Sequence, residues 1–300
     1  MKVALVPNHG MAKSRDAAER LGDWLRGKGE EVHIEGASVL DADGEGEATE
    51  AWYAVRDARG HVHEVLHDHA MDVRSCDLVI ALGGDGTTLR AARLVGFSGI
   101  PLLSLNFGRL GFLSGGDAGD MFDVVTQAMR DELRISPRAA LSVEVLHASG
   151  GADLYFALNE AVLHADTCKA VDFSLAVNDV ELFTMRGDGI IVCTATGSTA
   201  YALSAGGPFV TPEHRGPLIV PLAPHTLKAR PVVCGSDDVV GIVRQDTTSS
   251  DVHLFVDGKM TQAGDGGNSA ISIRRGPADV ILLKPKADTF YRLCARTFLS

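Results

Sequence analysis

Residues Leu78–Thr87 read LVIALGGDGT, and this stretch decides the fold of the first half of the chain. Its apolar part predicts a buried strand over Asp77–Leu82, and apolar residues at helical spacing after the glycines predict a helix over Thr87–Val95. A second apolar run predicts another strand over Ile100–Leu105. Strand, helix and strand at this spacing predict a parallel, doubly wound sheet.

The turn after the first strand predicts a phosphate-binding loop. Its glycines, Gly83, Gly84 and Gly86, permit unusual backbone angles and let amide groups approach a ligand, and the helix that follows Thr87 offers its positive end to an anion. Asp85 would repel a bare phosphate, so it indicates a carboxylate that helps to hold Mg²⁺ or accepts a proton from an attacking hydroxyl. An ordinary helix N-cap is the alternative for Asp85.

The regions around this unit carry their own signals. A helix is predicted over Ser14–Lys28, with Ser14 as its N-cap and Gly29 at its exit. The acidic, glycine-rich residues Asp41–Glu47 predict a mobile surface loop. The histidine-rich stretch His63–His67 has the form H-E-x-x-H, which on a helix would place two histidines on one face for Zn²⁺. A solvated helix face is the preferred interpretation there.

From Leu141 onward, short apolar runs alternate with turn signals, which predicts an all-β, sandwich-like domain of antiparallel strands. Tyr155–Leu163 is predicted as one strand, and Asp257-Gly258 reads as a hairpin turn. We therefore expect an α/β domain with a doubly wound, mostly parallel sheet over residues 1–136, joined by the tail 287–300, and a β domain over residues 137–286. A helix is predicted over Asp288–Phe298.

Composition limits the classes of partner. The chain has 300 residues, enough for two domains, and 28 Lys and Arg against 39 Asp and Glu give a net charge of −11. That sign argues against nucleic acid as a partner. The 5 cysteines form no C-x-x-C pair, which predicts reduced thiols, and no apolar stretch is long enough to cross a membrane, so we expect a cytoplasmic protein without a membrane partner.

Five motifs in this order resemble the NAD kinases. They are GGDGT at 83–87, NFGRLGFL at 106–113, NE at 159–160, GDG at 187–189 and TATGSTAY at 194–201. The first motif is shared with diacylglycerol and sphingosine kinases, and the later four are more selective. The resemblance implies an enzyme that transfers a phosphoryl group from ATP, or polyphosphate, to the 2′-hydroxyl of the adenosine ribose of NAD, giving NADP. It also implies Mg²⁺ carried by the nucleotide, and a homodimer or homotetramer.

The resemblance also assigns roles to residues. It implies Asp85 as the catalytic residue, Asn159 and Glu160 at the adenosine half of NAD, and Asp188 near the nicotinamide end, with Arg186 as a cation for the phosphates or an adjoining group. The other residues that it places around the dinucleotide are Lys169, Thr196, Thr199, Ala200, Tyr201, Ala202, Leu203 and Ser204.

Several of these positions have ordinary alternatives. Asn159 and Glu160 also fit a polar pair at a strand end, and Lys169 also fits a surface lysine. Phe112 would close over the ligand or belong to the core. Five hydroxyls among Thr194–Tyr201 suit a sugar and a base edge, since a core strand would avoid them. The sequence departs from the family at Lys259, where relatives commonly have Gln, and at Ala195, where they usually have Pro.

Three other functions remain open at this point. A lipid kinase of the same superfamily would keep the glycine turn but would not need the hydroxyl-rich segment. A dinucleotide sensor would bind NADP without forming a product. A zinc hydrolase would need His63 and a stoichiometric metal ion.

Overall fold

A computed structural model of the chain describes residues 1–36, 53–56, 62–65, 71–108, 111–147, 150–165, 170–245, 252–261, 270–286 and 290–298. The chain divides into two compact units. Unit 1 comprises Met1–Ala51, His67–Pro137 and Asp279–Ser300, and unit 2 comprises Trp52–Leu66 and Arg138–Ala278. Residues 52–66 thus belong to the second unit although they precede most of the first in sequence.

Unit 1 is an α/β unit built on a seven-stranded sheet with the order β2-β1-β5-β6-β21-β8, and β7 pairs with β6. The pairs of β1 with β2 and β5, and of β6 with β5, β7 and β21, are parallel, as the sequence predicted. In chain order, the strands are β1 Lys2–Pro7, β2 Glu31–Ile34, β5 Leu78–Gly83, β6 Leu102–Asn106, β7 Gly116–Asp117, β8 Arg134–Arg138 and β21 Val280–Lys284. The helices are α1 Ala12–Gly27, α2 Asp85–Val95, α3 Met121–Met129 and α5 Phe290–Phe298.

Helices cover both faces of this sheet. Alternate residues of β1 and β5, such as Leu5 and Ile80, join a core cluster with Leu21 of α1 and Val125 of α3. Helix α2 packs on β5 and β6 outside that cluster. Because side chains alternate along a strand, the sheet buries both faces, and β5 is buried along its whole length.

Unit 2 contains two antiparallel sheets. An eight-stranded sheet has the order β13-β12-β17-β20-β9-β10-β3-β4, and a six-stranded sheet has the order β16-β15-β14-β11-β18-β19. The strands, in chain order, are β3 Tyr53–Arg56, β4 Val62–Val65, β9 Leu141–Leu146, β10 Ala152–Ala157, β11 Glu160–Ala165, β12 Val171–Val177, β13 Val180–Gly187, β14 Gly189–Cys193, β15 Leu218–Leu222, β16 Val232–Val233, β17 Val239–Arg244, β18 Val252–Val256, β19 Lys259–Met260 and β20 Ala270–Arg275. A short helix, α4, spans Tyr201–Ser204.

The two sheets share one core and form the predicted sandwich. Phe173 and Val143 of the eight-stranded sheet pack in one cluster with Leu163 and Ile190 of the six-stranded sheet. The alternate residues of the six-stranded sheet, such as Ile191, pack in a second cluster that includes Ala202 of α4. The segment that contains α4 therefore covers the outer face of this sheet.

The predictions of Ser14 as an N-cap and of one strand over residues 155–163 are wrong. Helix α1 begins at Ala12, so Ser14 lies inside it and is no N-cap; its buried hydroxyl accepts from the Asn8 amide (2.8 Å) and donates to the Leu82 carbonyl. Residues 155–163 are not one strand. The chain leaves the eight-stranded sheet at Ala157 and enters the six-stranded sheet at Glu160.

The boundaries of β5, β6, α1, α2 and α5 shift by one or two residues from their predicted positions, and Gly29 follows α1 with φ of +86°. Residues 279–286, which the sequence assigned to the β domain, instead belong to unit 1, where β21 pairs with β6 in the parallel sheet. The tail helix is confirmed as α5. The cysteines within the described ranges, Cys76, Cys193, Cys234 and Cys294, are buried and free. Among the helices that the structure describes, none has the length and apolar character needed to span a membrane.

Candidate active site

The glycine turn joins β5 to α2, and only one of its glycines is required by the packing of the protein itself. A β-carbon at Gly83 would lie 2.3 Å from Oγ1 of Thr87. Gly84 and Gly86 face open space, with no atom within 4 Å of such a carbon. None of the three glycines has a positive φ, so the unusual backbone angles expected here do not occur. Gly84 and Gly86 instead leave the helix N-terminus open to a ligand.

Asp85 is the first residue of α2, and it is not the helix cap. The N-cap position is Gly84, and no side chain caps the helix. The half-buried Asp85 carboxylate instead accepts the backbone amides of Phe112 (3.2 Å) and Leu113 (3.3 Å). The segment after β6 therefore fixes the orientation of Asp85, which lies in the glycine turn at the N-terminus of α2.

The same segment is held from its carbonyl side. Lys284, at the end of β21, is 2% exposed, and its Nζ donates to the carbonyl oxygens of Phe112 (2.9 Å) and Ser114. The Phe112 ring stacks on Phe298 with centroids 5.5 Å apart and is 6.4 Å from Phe290, both in α5. Within unit 1, the half-buried Phe112 thus packs on aromatic residues of α5.

In unit 2, the Asn159-Glu160 pair lies at the corner where the chain passes from one sheet to the other. Asp257 accepts the backbone amides of Leu158, Asn159 and Glu160 at 2.9, 2.7 and 3.1 Å. Thr194 donates through its hydroxyl to the Leu158 carbonyl (2.6 Å). The structure therefore brings together three segments that the sequence singled out separately, around residues 159, 194 and 257.

Glu160 carries an unusual carboxyl group. It is 7% exposed, and its Oε2 is buried without a hydrogen-bond partner. Burial, together with the negative charge of Asp257, raises the pKa of Glu160 from 4.5 to about 8. At neutral pH, this carboxyl group is therefore protonated, and it can donate a hydrogen bond as well as accept one.

Glu160 lines a cavity of about 490 Å³, together with Val162, His164, Tyr201, Phe255 and Gly258. Tyr201 is 43% exposed, so its ring is accessible to a ligand. The cavity has a mostly apolar wall with a few polar groups, which is the usual composition of a small-molecule site. His164 and Phe255 had no functional signal in the sequence, because only the pairing of β11 with β18 brings these two strands side by side. Gly258 was predicted only as a turn residue.

The hydroxyl-rich segment is used mostly by the protein itself. The hydroxyls of Thr194, Ser198 and Thr199 donate to backbone carbonyls within unit 2 at 2.6, 2.7 and 3.2 Å. Thr196 is 6% exposed, and Ala202 belongs to the core cluster on the outer face of the sheet. The positions with partly or fully exposed side chains are Thr199, Ala200, Tyr201, Leu203 and Ser204.

Arg186 and Asp188 do not lie beside Glu160 in unit 2. The Gly187-Asp188-Gly189 segment ends β13 and begins β14, and Gly189 pairs with His164 at the end of β11 opposite Glu160. Four residues of strand, about 13 Å, separate the two ends. Both side chains are exposed, and Arg186 Nη1 lies 3.1 Å from Asp172 Oδ2. Lys169 lies outside the described residues.

The first three residues of the H-E-x-x-H stretch, 63–65, lie on a strand and not on a helix. Val62–Val65 is strand β4, which pairs with β3, and His67 and the acidic loop Asp41–Glu47 lie outside the described residues. In a helix, residues i and i+4 lie on adjacent turns of one face and can bind the same metal ion, whereas in a strand they lie too far apart for that. The expected helix, on which the zinc alternative depends, is therefore wrong for residues 62–65.

A glycine turn that opens a helix in an α/β unit, with a β-sandwich unit that holds a ligand-sized cavity, defines a two-domain nucleotide-binding protein. The family model described as ATP-NAD kinase N-terminal domain matches residues 3–133, and the ATP-NAD kinase C-terminal domain matches residues 158–284. The chain belongs to the ATP-NAD kinase family.

Individual relatives agree with this assignment. An NAD kinase from Heliobacterium modesticaldum is 33% identical over 294 residues, which is 97% of this chain and 96% of that protein. The crystal structure of yeast NADH kinase complexed with NADH matches with a TM-score of 0.81 at 22% identity, covering 100% of this chain and 87% of that one. An Archaeoglobus fulgidus NAD kinase in complex with ATP matches with a TM-score of 0.69 at 22% identity, covering 95% and 94%. These solved structures show that the fold is shared.

Proposed function

We propose that this chain transfers the γ-phosphoryl group of ATP to the 2′-hydroxyl of the adenosine ribose of NAD, giving NADP and ADP. The observation that carries the proposal is the position of Asp85. Its carboxylate stands at the N-terminus of α2, held by two backbone amides, in a turn that Gly84 and Gly86 leave open. Family membership supports the identity of the two substrates.

The donor phosphates bind at the turn of residues 83–87. The first amides of α2 have no partner within the helix, and they point toward an anion at the helix N-terminus. Polyphosphate presents the same chemistry and is the alternative donor. The relative from Archaeoglobus fulgidus, whose structure contains ATP, supports ATP.

Asp85 fits an ion carried by the nucleotide. Mg²⁺ prefers oxygen ligands, and each Asp85 oxygen accepts one backbone amide and keeps a free lone pair. When bound, the ion neutralises charge on the donor phosphates. The residues of this chain then have to position the two substrates and to handle one proton.

The role of Asp85 in the reaction is that of a base. The ribose O2′ forms a bond to the γ-phosphorus while the bond from that phosphorus to the bridging oxygen of ADP breaks, and the hydroxyl proton passes to the Asp85 carboxylate. Two amide donors fix the carboxylate in one orientation before the substrate arrives. Such preorganisation lowers the entropic cost of reaching the transition state.

Unit 2 supplies the binding site for NAD. The buried carboxyl of Glu160 meets a hydroxyl or an amide of the ligand, the accessible ring of Tyr201 packs on it, and the amide of Asn159 reads a base edge. The proposed wall of this site also includes Thr196, Thr199, Ala200 and Ser204. Residues farther from Glu160 that we propose to contribute are Lys169, Arg186 and Asp188. The yeast relative, whose structure contains NADH, supports a dinucleotide here.

The same proposal covers the state of the protein in the cell. We expect a homodimer or homotetramer in the cytoplasm, with no nucleic acid or membrane partner. The net charge of −11 supports the first of these exclusions, and the free, buried cysteines support a reducing compartment.

The direct test is to incubate the protein with NAD, ATP and Mg²⁺ and to follow NADP with an NADP-specific dehydrogenase. A parallel reaction replaces NAD with diacylglycerol and uses labelled ATP. Formation of NADP with no labelled lipid is expected. Labelled lipid without NADP would assign the chain to the lipid kinases, and binding of NADP without turnover would make it a sensor.

A further inference from the structure

Asp257 occupies a tight turn that is unfavourable for most residues. It follows β18, and it and Gly258 are the two turn residues before β19, with φ of +46° and +75°. Aspartate and asparagine tolerate a positive φ better than most residues, so an Asp-Gly pair suits this turn. Asp257 is nevertheless 7% exposed, which places a carboxylate inside unit 2.

The contacts of Asp257 are concentrated on one segment. Its Oδ1 accepts the amides of Asn159 (2.7 Å) and Glu160 (3.1 Å), its Oδ2 accepts the amide of Leu158 (2.9 Å), and its own amide donates to the Glu160 carbonyl (2.9 Å). Three consecutive amides thus converge on one carboxylate nearly one hundred positions away in the sequence. Charge-assisted hydrogen bonds of this kind are about twice as strong as neutral ones.

The opposite side of the same corner is fixed by the 194–197 segment. The Thr194 amide donates to the Asn159 carbonyl at 2.8 Å, and a β-carbon at Gly197 would lie 2.2 Å from that oxygen. Asp257 therefore accepts hydrogen bonds from the amides of this corner, and Thr194 donates hydrogen bonds to its carbonyl groups. This leaves the Glu160 side chain little freedom in the direction in which it leaves the backbone.

We propose that Asp257 is a positioning residue for NAD binding, whose carboxylate fixes the Leu158–Glu160 corner so that the unpartnered Glu160 carboxyl is presented to the ligand in the cavity. This inference rests on the proposed function of that cavity. It assigns a role to the hairpin turn that the sequence alone left as a simple chain reversal.

The charge of Asp257 acts on the protonation of Glu160, an effect that packing alone would not produce and that a pH profile can measure. Titratable groups face Glu160 from several elements: Asp257 from the β18–β19 turn, Cys193 opposite it on β14, and His164 and Tyr201 in the cavity wall. Burial and the Glu160 charge raise the pKa of the Cys193 thiol, so it stays neutral. Asp257 is therefore the negative charge that helps to keep Glu160 protonated near neutral pH.

The proposal predicts a pH dependence of NAD affinity. In the wild-type protein, affinity falls as the pH rises through about 8, because ionised Glu160 loses its donor hydrogen and adds a negative charge beside an anionic ligand. Replacing Asp257→Asn removes the neighbouring charge and retains one amide acceptor. The inflection then moves to lower pH, and the KM for NAD at neutral pH rises about tenfold, while kcat and the KM for ATP stay within about twofold.

The matched control is Asp179→Asn. Asp179 also occupies a two-residue hairpin turn with a positive φ, +63°, but it is exposed and lies between β12 and β13. This variant is expected to match the wild type in KM, kcat and pH profile. A KM for NAD within about twofold of wild type in Asp257→Asn, with an unmoved inflection, would overturn the proposal.

A second variant keeps the test decisive if Asp257→Asn fails to fold. Asp257→Glu retains the charge but displaces the carboxylate by one methylene, so we expect a raised KM for NAD with an inflection at the wild-type pH. An unchanged KM in this variant also overturns the proposal. Calorimetric titration with NAD separates the two levels of inference: a wild-type protein that does not bind NAD refutes the proposed function, whereas NAD binding unaffected by Asp257→Asn refutes only the role of Asp257.

Discussion

The Gly111 backbone lies against the carboxylate of Asp85, so that a β-carbon on Gly111 would be 2.1 Å from Oδ1 and 2.4 Å from Oδ2. The glycine is needed because the amides of the next two residues, Phe112 and Leu113, reach that carboxylate directly. The segment from Gly111 to Leu113 therefore holds Asp85, the residue that we propose as the base, in one orientation.

Replacement of Gly111→Ala is expected to displace the Asp85 side chain and to lower kcat at least about tenfold, since small misplacements of a reacting group are costly. Steady-state kinetics with NAD and ATP measure this. Gly119→Ala is the control, because a β-carbon there would meet nothing within 4 Å. Equal kcat values for the two variants would mean that the position of Asp85 does not matter for turnover.

Replacement of Asp85→Asn preserves the shape of the side chain but removes its charge. We expect kcat to fall at least about a hundredfold with a modest change in NAD affinity, as for loss of a general base. Asp123→Asn provides the comparison, because Asp123 is an exposed acidic residue in the first turn of α3. Near-normal turnover of Asp85→Asn would remove Asp85 from the chemistry.

Lys284→Met leaves the Phe112 and Ser114 carbonyls without the buried ammonium that donates to both. We expect the free energy of unfolding to fall by about 2 to 3 kcal/mol, the cost of buried acceptors without partners. Urea denaturation measures it, and Lys286→Met, two residues away and exposed, is expected to change stability by less than about 0.5 kcal/mol. Similar losses in both variants would contradict this account of Lys284.

The raised pKa of Glu160 also predicts how the free energy of unfolding depends on pH. Its pKa is raised from 4.5 to about 8, so between these values the folded state binds a proton that the unfolded state has lost. The free energy of unfolding therefore falls as pH rises through this window, and Glu160→Gln removes that loss. The stability of the variant relative to wild type should grow by about 1.4 kcal/mol per pH unit at most.

Chemical denaturation at several pH values across the same window provides the measurement for Glu160→Gln. The exposed Glu132→Gln is the control, and its stability relative to wild type should not change with pH. A difference between Glu160→Gln and wild type that is constant with pH would show that Glu160 ionises normally in the folded protein.

The elements that were predicted correctly are those with strong local patterns. The apolar run before Gly83 identified β5, and the turn residues Asp257-Gly258 identified a hairpin whose two turn residues have positive φ. The prediction failed where a distant partner decides the conformation. Residues 62–65 form a strand because β3 pairs with both β4 and β10 within the eight-stranded sheet.

The residues of the candidate site also fall into those found from the sequence and those whose contacts only the structure shows. The sequence identified Asp85, Glu160 and Tyr201 because residue type and motif suffice for that. It placed Gly111 in a motif and Asp257 in a hairpin turn, but it could not show their contacts or those of Lys284, which join residues 26 to 172 positions apart.

The amino-acid sequence by itself therefore determined the two kinds of domain, the family resemblance and the residues whose chemistry suits phosphoryl transfer. Those properties follow from local periodicity and from the side chains present. Only the tertiary structure decided which backbone amides hold Asp85, which carboxylate grips the corner at Glu160, and which hydroxyls are already used by the protein. The physical reason is that burial and hydrogen bonding between distant segments depend on the folded path of the chain, and these set both the orientation and the charge of each group.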